Sequence, residues 1–158
     1  MGHFDNVRAV NLFGETVTVN DADTRQLSVD YVKREAVPAA LTAGAHTITI
    51  AEIKNGVLRM DPEAARDFTL PTAELAVAGC PGCVVGDSID FCIINEGTAG
   101  ADETISVVTA TGATLIGNMD VENPESTHDA FSSGSGLFRL QFTNVTDSSE
   151  SYTLLRLA

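Results

Sequence analysis

The stretch Val85–Gly97, VGDSIDFCIINEG, decides the fold because apolar and other residues alternate along most of its length. In an extended chain, one face would carry Ile89, Phe91 and Ile93, and the other Asp90, Cys92 and Ile94. A period of two residues is that of a β-strand. Gly-Asp before this run and Glu-Gly after it are turn signals. The stretch therefore predicts a strand with one buried face.

Shorter extended runs recur from Leu41 onward, separated by turn residues. We expect strands at Thr47–Ile50, at Val57–Met60, before Pro71, on both sides of Gly112, and in a C-terminal hairpin that ends with Tyr152–Leu157. The pair Asn55-Gly56 is a tight-turn signal between the first two strands. Turns spaced roughly eight to twelve residues apart are typical of an antiparallel sandwich or barrel.

One segment has a helical pattern instead. The sequence TAELAVAG begins with Thr72, a residue type favoured as an N-cap, and ends with Gly79, a typical stop residue. Leu75 and Ala78 fall on one face of the intervening turn or two. We therefore expect a short helix here.

The composition agrees with a β-rich domain. The 158 residues are enough for one domain with its own hydrophobic core. Val, Ile, Leu, Thr and Ala dominate, Trp is absent and Gly occurs 13 times, which favours strands and tight turns. We expect an all-β fold whose body, residues 41–158, is an antiparallel β-sandwich or barrel-like, jelly-roll-like domain.

Residues 1–40 do not share this pattern. Charges are dense, Pro38 closes the segment, and only Glu15–Asn20 and Leu27–Tyr31 alternate as short strands would. Little of the segment could bury both faces. We predict an extended N-terminal arm or outer hairpin.

The acidic composition restricts the partners. Asp and Glu number 22 against 9 Lys and Arg, so the formal net charge is -13. Such a charge repels phosphate backbones and anionic membranes. No apolar run is long enough for a signal peptide or a membrane span. We expect a protein made in a cytoplasm that binds neither nucleic acid nor membranes.

The segment Cys80-Pro-Gly-Cys83 is the main candidate for chemistry. A structural zinc site needs four ligands, and only Cys92 and scattered histidines could complete one. A redox centre needs its dithiol at the start of a helix, whereas Gly79 and Val84–Asp87 are turn and strand signals. We interpret the segment as a loop with small, partly buried thiols. A turn disulfide and a metal shared with a second chain are the weaker alternatives.

No complete catalytic constellation is visible elsewhere. The histidines are scattered at His3, His46 and His128. A triad of Ser132, His128 and Asp129 lacks a nucleophile elbow, and the acidic segments NDAD and GADE lack the rest of a calcium loop. We expect no enzymatic activity and no cofactor. The least favoured hypothesis is a thiol- or metal-dependent hydrolase that uses Cys80, Cys83 and His128.

Four segments taken together resemble a module of tailed-bacteriophage structural proteins. They are DPEAARDFTLPTAELAVAG, VGDSIDFCIINEG, ETISVVTATGATLIGN and GLFRLQFTNVTDSSESYTLLRL. Their order is similar to a TLPTA segment, a GDxxxFxIxN strand, a TxxxATGxTLxG hairpin and a closing FRLxFTNVT strand pair. The likeness covers about residues 41–158 and extends to capsid decoration (cement) proteins and head-fibre domains, in which CPGC is not characteristic.

The resemblance implies a function outside catalysis. A β-sandwich or barrel-like domain of this kind forms a homotrimer or otherwise clusters on the outside of a capsid, and its N-terminal arm reaches over neighbouring subunits. The implied partner is the major capsid protein, the location is the virion, and the role is stabilisation of the shell. The alternative is a receptor- or glycan-binding fibre tip, for which Tyr31, Tyr152 and the loop around Phe131 are the available aromatic residues.

Overall fold

A computed structural model describes residues 39–97, 103–124 and 134–158. Within these ranges the chain forms ten strands and two short helices. In chain order they are β1 (Ala40–Leu41), β2 (His46–Thr47), α1 (Ile50–Asn55), β3 (Val57–Met60), β4 (Arg66–Thr69), α2 (Ala73–Ala78), β5 (Ser88–Asn95), β6 (Ile105–Val108), β7 (Ala113–Ile116), β8 (Asp120–Val121), β9 (Ser135–Asn144) and β10 (Ser151–Arg156).

The strands alternate between two sheets. The larger sheet has the order β1-β3-β5-β9-β10-β7, and the smaller has the order β2-β4-β6-β8. Odd-numbered strands up to β9 therefore lie in the six-stranded sheet and even-numbered strands up to β8 in the four-stranded sheet. Only β9 and β10 are consecutive strands that pair, so each earlier connection between described strands carries the chain from one sheet to the other.

Most strand pairs are parallel. The pairs β1–β3, β3–β5, β2–β4, β4–β6 and β7–β10 are parallel, whereas β5–β9, β9–β10 and β6–β8 are antiparallel. The prediction of a mainly-β fold is confirmed, but antiparallel pairing throughout is wrong. In the first four of these parallel pairs, the two strands are separated along the chain by one strand of the other sheet. The strands β6 and β8 are separated in the same way by β7 but run in opposite directions.

The turn signal Asn55-Gly56 lies at the C-terminal end of helix α1. Thr49 is the N-cap of α1 and forms a capping box with Glu52, while Gly56 ends the helix with a φ of 84°. The strand predicted over Thr47–Ile50 is therefore wrong beyond Thr47, and Asn55-Gly56 is not a turn between paired strands. A Thr followed three residues later by Glu favours helix initiation, and it prevails over the alternating HTITI pattern.

The second helix agrees with the prediction. Thr72 caps α2 and its hydroxyl accepts from the Leu75 N–H, and Gly79 is the C-cap. Gly79 has a φ of -78°, so it is not required by backbone conformation. A Cβ at this position would instead collide with the side chain of Ile50. The buried face of α2 consists of Ala73 and Ala76, whereas Leu75 is exposed.

Gly112 forms the turn that the sequence predicts, with a φ of 80°. The strands on either side, β6 and β7, nevertheless lie in different sheets. They are therefore not the hairpin implied by the bacteriophage resemblance. The predicted C-terminal hairpin is confirmed as the antiparallel pair β9–β10.

One hydrophobic core receives side chains from both sheets and both helices. Its largest fully buried members include Tyr152, Phe68, Phe91, Phe138 and Phe142. The Phe91 and Phe138 rings, from paired positions on β5 and β9, stack with centroids 5.7 Å apart. The buried face predicted from VGDSIDFCIINEG is thus confirmed at Phe91, and its neighbour Asp90 is exposed.

A buried amide links the two sheets. Asn95 at the end of β5 donates from Nδ2 to the carbonyl oxygens of Glu103 and Val121, the latter at 2.9 Å, and its Oδ1 accepts from the Gly97 N–H at 2.9 Å. Val121 belongs to β8 in the smaller sheet. Since buried polar groups are costly unless paired, these bonds fix the end of β5 against the β6–β8 side.

The predicted arm lies outside the described residues apart from its last two positions. Ala40, the final residue of the predicted arm, lies in the edge strand β1 and pairs with Arg59 of β3. The proposed boundary after residue 40 therefore falls within a strand of the body. The strands predicted at Glu15–Asn20 and Leu27–Tyr31 lie outside the described residues.

Candidate functional site

Cys80 and Cys83 lie at the two ends of a tight turn that follows α2. The Cys83 N–H donates to the Cys80 carbonyl at 3.0 Å, and Gly82 between them has a φ of 82°. Proline followed by a residue of positive φ is the pattern of a type II turn. The Cys80 N–H itself donates to the Val77 carbonyl at 3.0 Å. The prediction that these cysteines close a turn before the β5 strand is confirmed.

Both thiols are free and half-buried. Burial raises the pKa of Cys80, an effect that nearby Lys54 opposes. Within the described ranges, no group of three or more His, Cys, Asp or Glu side chains could hold a metal ion. His128, the third residue of the hydrolase hypothesis, lies outside those ranges, as do Ser132 and Asp129.

A shallow groove of about 400 Å³ lies beside this turn. Its lining includes Lys54, Cys80, Cys83, Asp87, Ile89 and Phe142. The polar groups among these residues hold the loop: Asp87 Oδ2 accepts from the Val84 N–H at 3.0 Å, and Lys54 Nζ donates to the Gly79 carbonyl at 3.3 Å. The turn is thus held by hydrogen bonds on both sides, and the groove exposes its two cysteines to solvent.

A second feature is an apolar row across the outer face of the six-stranded sheet. Strand register places Val57 of β3 beside Cys92 of β5, and Cys92 beside Leu137 of β9. The Leu157 N–H donates to the Leu137 carbonyl at 2.8 Å, which continues the row past the end of β10. Leu137 is 41% exposed and Leu157 is 44% exposed. The row thus crosses three strands, and Leu157 just after β10 continues it, on the side away from the core.

A second apolar pair extends this row toward the sheet edge. Leu155 of β10 lies beside Ile116 of β7, which is 53% exposed. We call the six residues Val57, Cys92, Leu137, Leu155, Leu157 and Ile116 the apolar face. Ile116, Leu137 and Leu157 are exposed and the other three are half-buried, and exposed apolar side chains grouped in this way are typical of protein–protein contact sites.

The charged side chains next to the apolar face are paired. Arg139 donates two hydrogen bonds to Asp90, at 2.6 and 2.7 Å, and Arg59 Nη2 lies 2.9 Å from Glu96 Oε1. Hydrogen bonding to Arg139 lowers the pKa of Asp90. Each pair is neutral as a unit, so this face adds nothing to the net charge of -13.

The residues proposed for a fibre-tip site do not form one among the described residues. Tyr152 is fully buried, and its hydroxyl donates to the Pro71 carbonyl at 2.6 Å, so its expected role in surface binding is wrong. The amphipathic alternation of β10 turns this ring into the core. Tyr31 and Phe131 lie outside the described residues.

His46 has a structural role. Its Nε2 lies 3.0 Å from Glu52 Oε1, and its ring packs edge-on against Phe68 with centroids 5.7 Å apart. Burial raises the pKa of Glu52, but hydrogen bonds from the Thr49 backbone and hydroxyl and the proximity of His46 outweigh it, so the pKa is lowered overall. The pair supports the start of α1.

Sequence reasoning missed the apolar face because its members come from five separate strands. A partial signal was present: Ile93-Ile94 and Leu154-Leu155 put apolar residues on both faces of β5 and β10. A strand with one solvated face normally alternates with polar residues, so such doublets indicate a second contact surface.

Comparisons with known proteins give no relative. No family model matches the chain, and neither a curated protein nor a solved structure matches it. Among the described residues, no helix has the length and apolar character needed to cross a membrane.

Proposed function

We propose that this chain is a virion structural protein, a capsid decoration (cement) protein of a tailed bacteriophage. Its two sheets act as a β-sandwich body that self-associates as a homotrimer, and residues 1–40 act as an extended arm that binds the major capsid protein. The observation that carries this proposal is the apolar face, a neutral surface on a chain of net charge -13.

The occupant of the apolar face is a second copy of the chain. Two copies that each carry a charge of -13 repel one another over most of their surfaces. Contact through the apolar face avoids that repulsion because Asp90 and Arg139, and Arg59 and Glu96, are already paired. Cyclic homo-oligomers bury such self-complementary or head-to-tail patches.

In this proposal, the N-terminal arm, residues 1–40, makes the contact with the capsid. It leads into β1, a two-residue strand at the edge of the six-stranded sheet. A segment that enters at a sheet edge can add main-chain hydrogen bonds to a strand of another protein. Each contact is weak alone, and repetition over the many equivalent sites of a shell strengthens the assembly.

Co-sedimentation with empty shells of the major capsid protein encoded in the same genome tests this function. We expect the full chain to pellet with the shells and a chain lacking residues 1–25 to remain in the supernatant while keeping its circular dichroism spectrum. A truncated chain that still pellets would contradict the arm mechanism. Absence of binding by the full chain, together with binding of the isolated protein to host cells, would favour the fibre-tip function.

A further inference from the structure

We propose that Cys80 and Cys83 form a reversible intramolecular disulfide across the type II turn, so that CPGC is a redox-formed staple between α2 and β5. This inference is independent of the proposed capsid function. It concerns a modification of the two thiols and not a metal site.

The turn brings the two cysteines within bonding range. A hydrogen-bonded β-turn keeps the Cα atoms of its first and fourth residues within about 7 Å, and disulfides span Cα separations of about 4.4–6.8 Å. The 3.0 Å bond from the Cys83 N–H to the Cys80 carbonyl defines such a turn. Formation of the disulfide therefore requires rotation of the two cysteine side chains and little movement of the backbone.

The turn is also held at both ends. The Cys80 N–H is bonded to Val77 at the end of α2, and the Val84 N–H is bonded to Asp87 ahead of β5. Pro81 fixes its own φ, and Gly82 supplies the positive φ that other residues rarely adopt. Because little conformational freedom remains, the second thiol is well placed to react once the first has been oxidised.

A small oxidant can reach the pair. Both cysteines line the groove of about 400 Å³, which is open to a small-molecule disulfide such as oxidised glutathione. One protein thiolate attacks this disulfide, forms a mixed disulfide and releases one glutathione. The second protein thiolate then displaces the other glutathione and closes the ring. The protein loses two electrons, the oxidant is reduced to two glutathiones, and the thiol protons end on those two products.

The third cysteine provides an internal control. Cys92 lies in β5, where its neighbours across the sheet are Val57 and Leu137, so no second cysteine lies beside it. It is therefore expected to stay reduced under conditions that oxidise the turn pair. A cytosol keeps dithiols reduced, so the bond forms only in a more oxidising environment.

The test equilibrates the full chain in glutathione buffers from fully reduced to fully oxidised, followed by alkylation and mass spectrometry of the intact protein. We expect the number of alkylated thiols to fall from three to one, with a mass loss of two hydrogen atoms and no glutathione adduct. Cys80→Ser and Cys83→Ser should each trap one glutathione on the remaining turn thiol, and Cys92→Ser should still form the bond. Three alkylated thiols in the oxidised buffer, two glutathione adducts on the wild-type chain, or a disulfide-linked dimer would overturn the proposal.

Discussion

The hydroxyl of Tyr152 on β10 donates a 2.6 Å hydrogen bond to the carbonyl oxygen of Pro71, which precedes α2. The two residues are 81 positions apart, and the bond joins the six-stranded sheet to the chain that leaves the four-stranded sheet after β4. Burial raises the pKa of Tyr152 above its ordinary value, so the hydroxyl remains a donor at neutral pH.

Removal of this hydroxyl should lower stability. Tyr152→Phe keeps the buried ring but leaves the Pro71 carbonyl without its donor, and a buried acceptor left unpaired costs about 1–3 kcal/mol. Denaturant unfolding of the two proteins measures the difference in free energy. An unchanged midpoint and slope would show that the bond contributes nothing to the link between the sheets.

The amide of Asn95 should contribute more. Asn95→Ala removes two donated bonds and one accepted bond in a buried site, so we expect a loss of about 3 kcal/mol. Asn55→Ala is the matched control because Asn55 lies exposed at the end of α1, where a substitution changes stability by about 0.5 kcal/mol or less. Equal losses in the two variants would contradict the bridging role of Asn95.

Gly112 should be required for two separate reasons. Its φ of 80° disfavours any side chain, and a Cβ there would lie 2.6 Å from the Ala73 Cβ and 2.7 Å from the Glu150 carbonyl oxygen. Gly82 has a similar φ of 82° but open space around it. Gly82→Ala should therefore cost about 1 kcal/mol, and Gly112→Ala clearly more. Thermal unfolding measures both, and a smaller loss for Gly112→Ala would contradict the steric account.

The Asp90–Arg139 pair should make stability depend on acidity. Hydrogen bonds from Arg139 lower the folded-state pKa of Asp90, so the pair stabilises the fold above the unfolded-state pKa and loses this effect as the pH falls through the folded-state pKa. The difference in Tm between the wild-type chain and Asp90→Asn should therefore shrink between neutral pH and about pH 3. The effect is small because both side chains are nearly half exposed. A difference that stays constant would rule out this linkage.

The elements that sequence reasoning found correctly have local determinants. The alternation of Ser88–Asn95, the Thr72 cap and Gly79 stop of α2, and the hairpin of β9 and β10 are each encoded within a few adjacent residues. The capping box of Thr49 and Glu52 is equally local and was overlooked because HTITI alternates. In that case the hydrogen bonds of the cap outweigh β-propensity.

Strand pairing could not be predicted because it is not a local property. The turns after Met60 and at Gly112 have ordinary turn chemistry, yet they lead into the other sheet. Whether a turn returns the chain to its neighbour or carries it across the core depends on which faces must be buried together. The apolar face was missed for the same reason, since Cys92 and Leu137 become neighbours only through the register of β5 and β9.

The molar mass of the purified protein by light scattering, over a range of concentrations, tests self-association through the apolar face most directly. We predict a trimer for the wild-type chain and a monomer for Leu137→Glu, because a charge at the centre of the row would be buried without a partner. Thr143→Glu, on the exposed outer face of the same strand, should remain a trimer. A monomeric wild-type chain at every concentration, or a Leu137→Glu variant that stays trimeric and folded, would contradict the account.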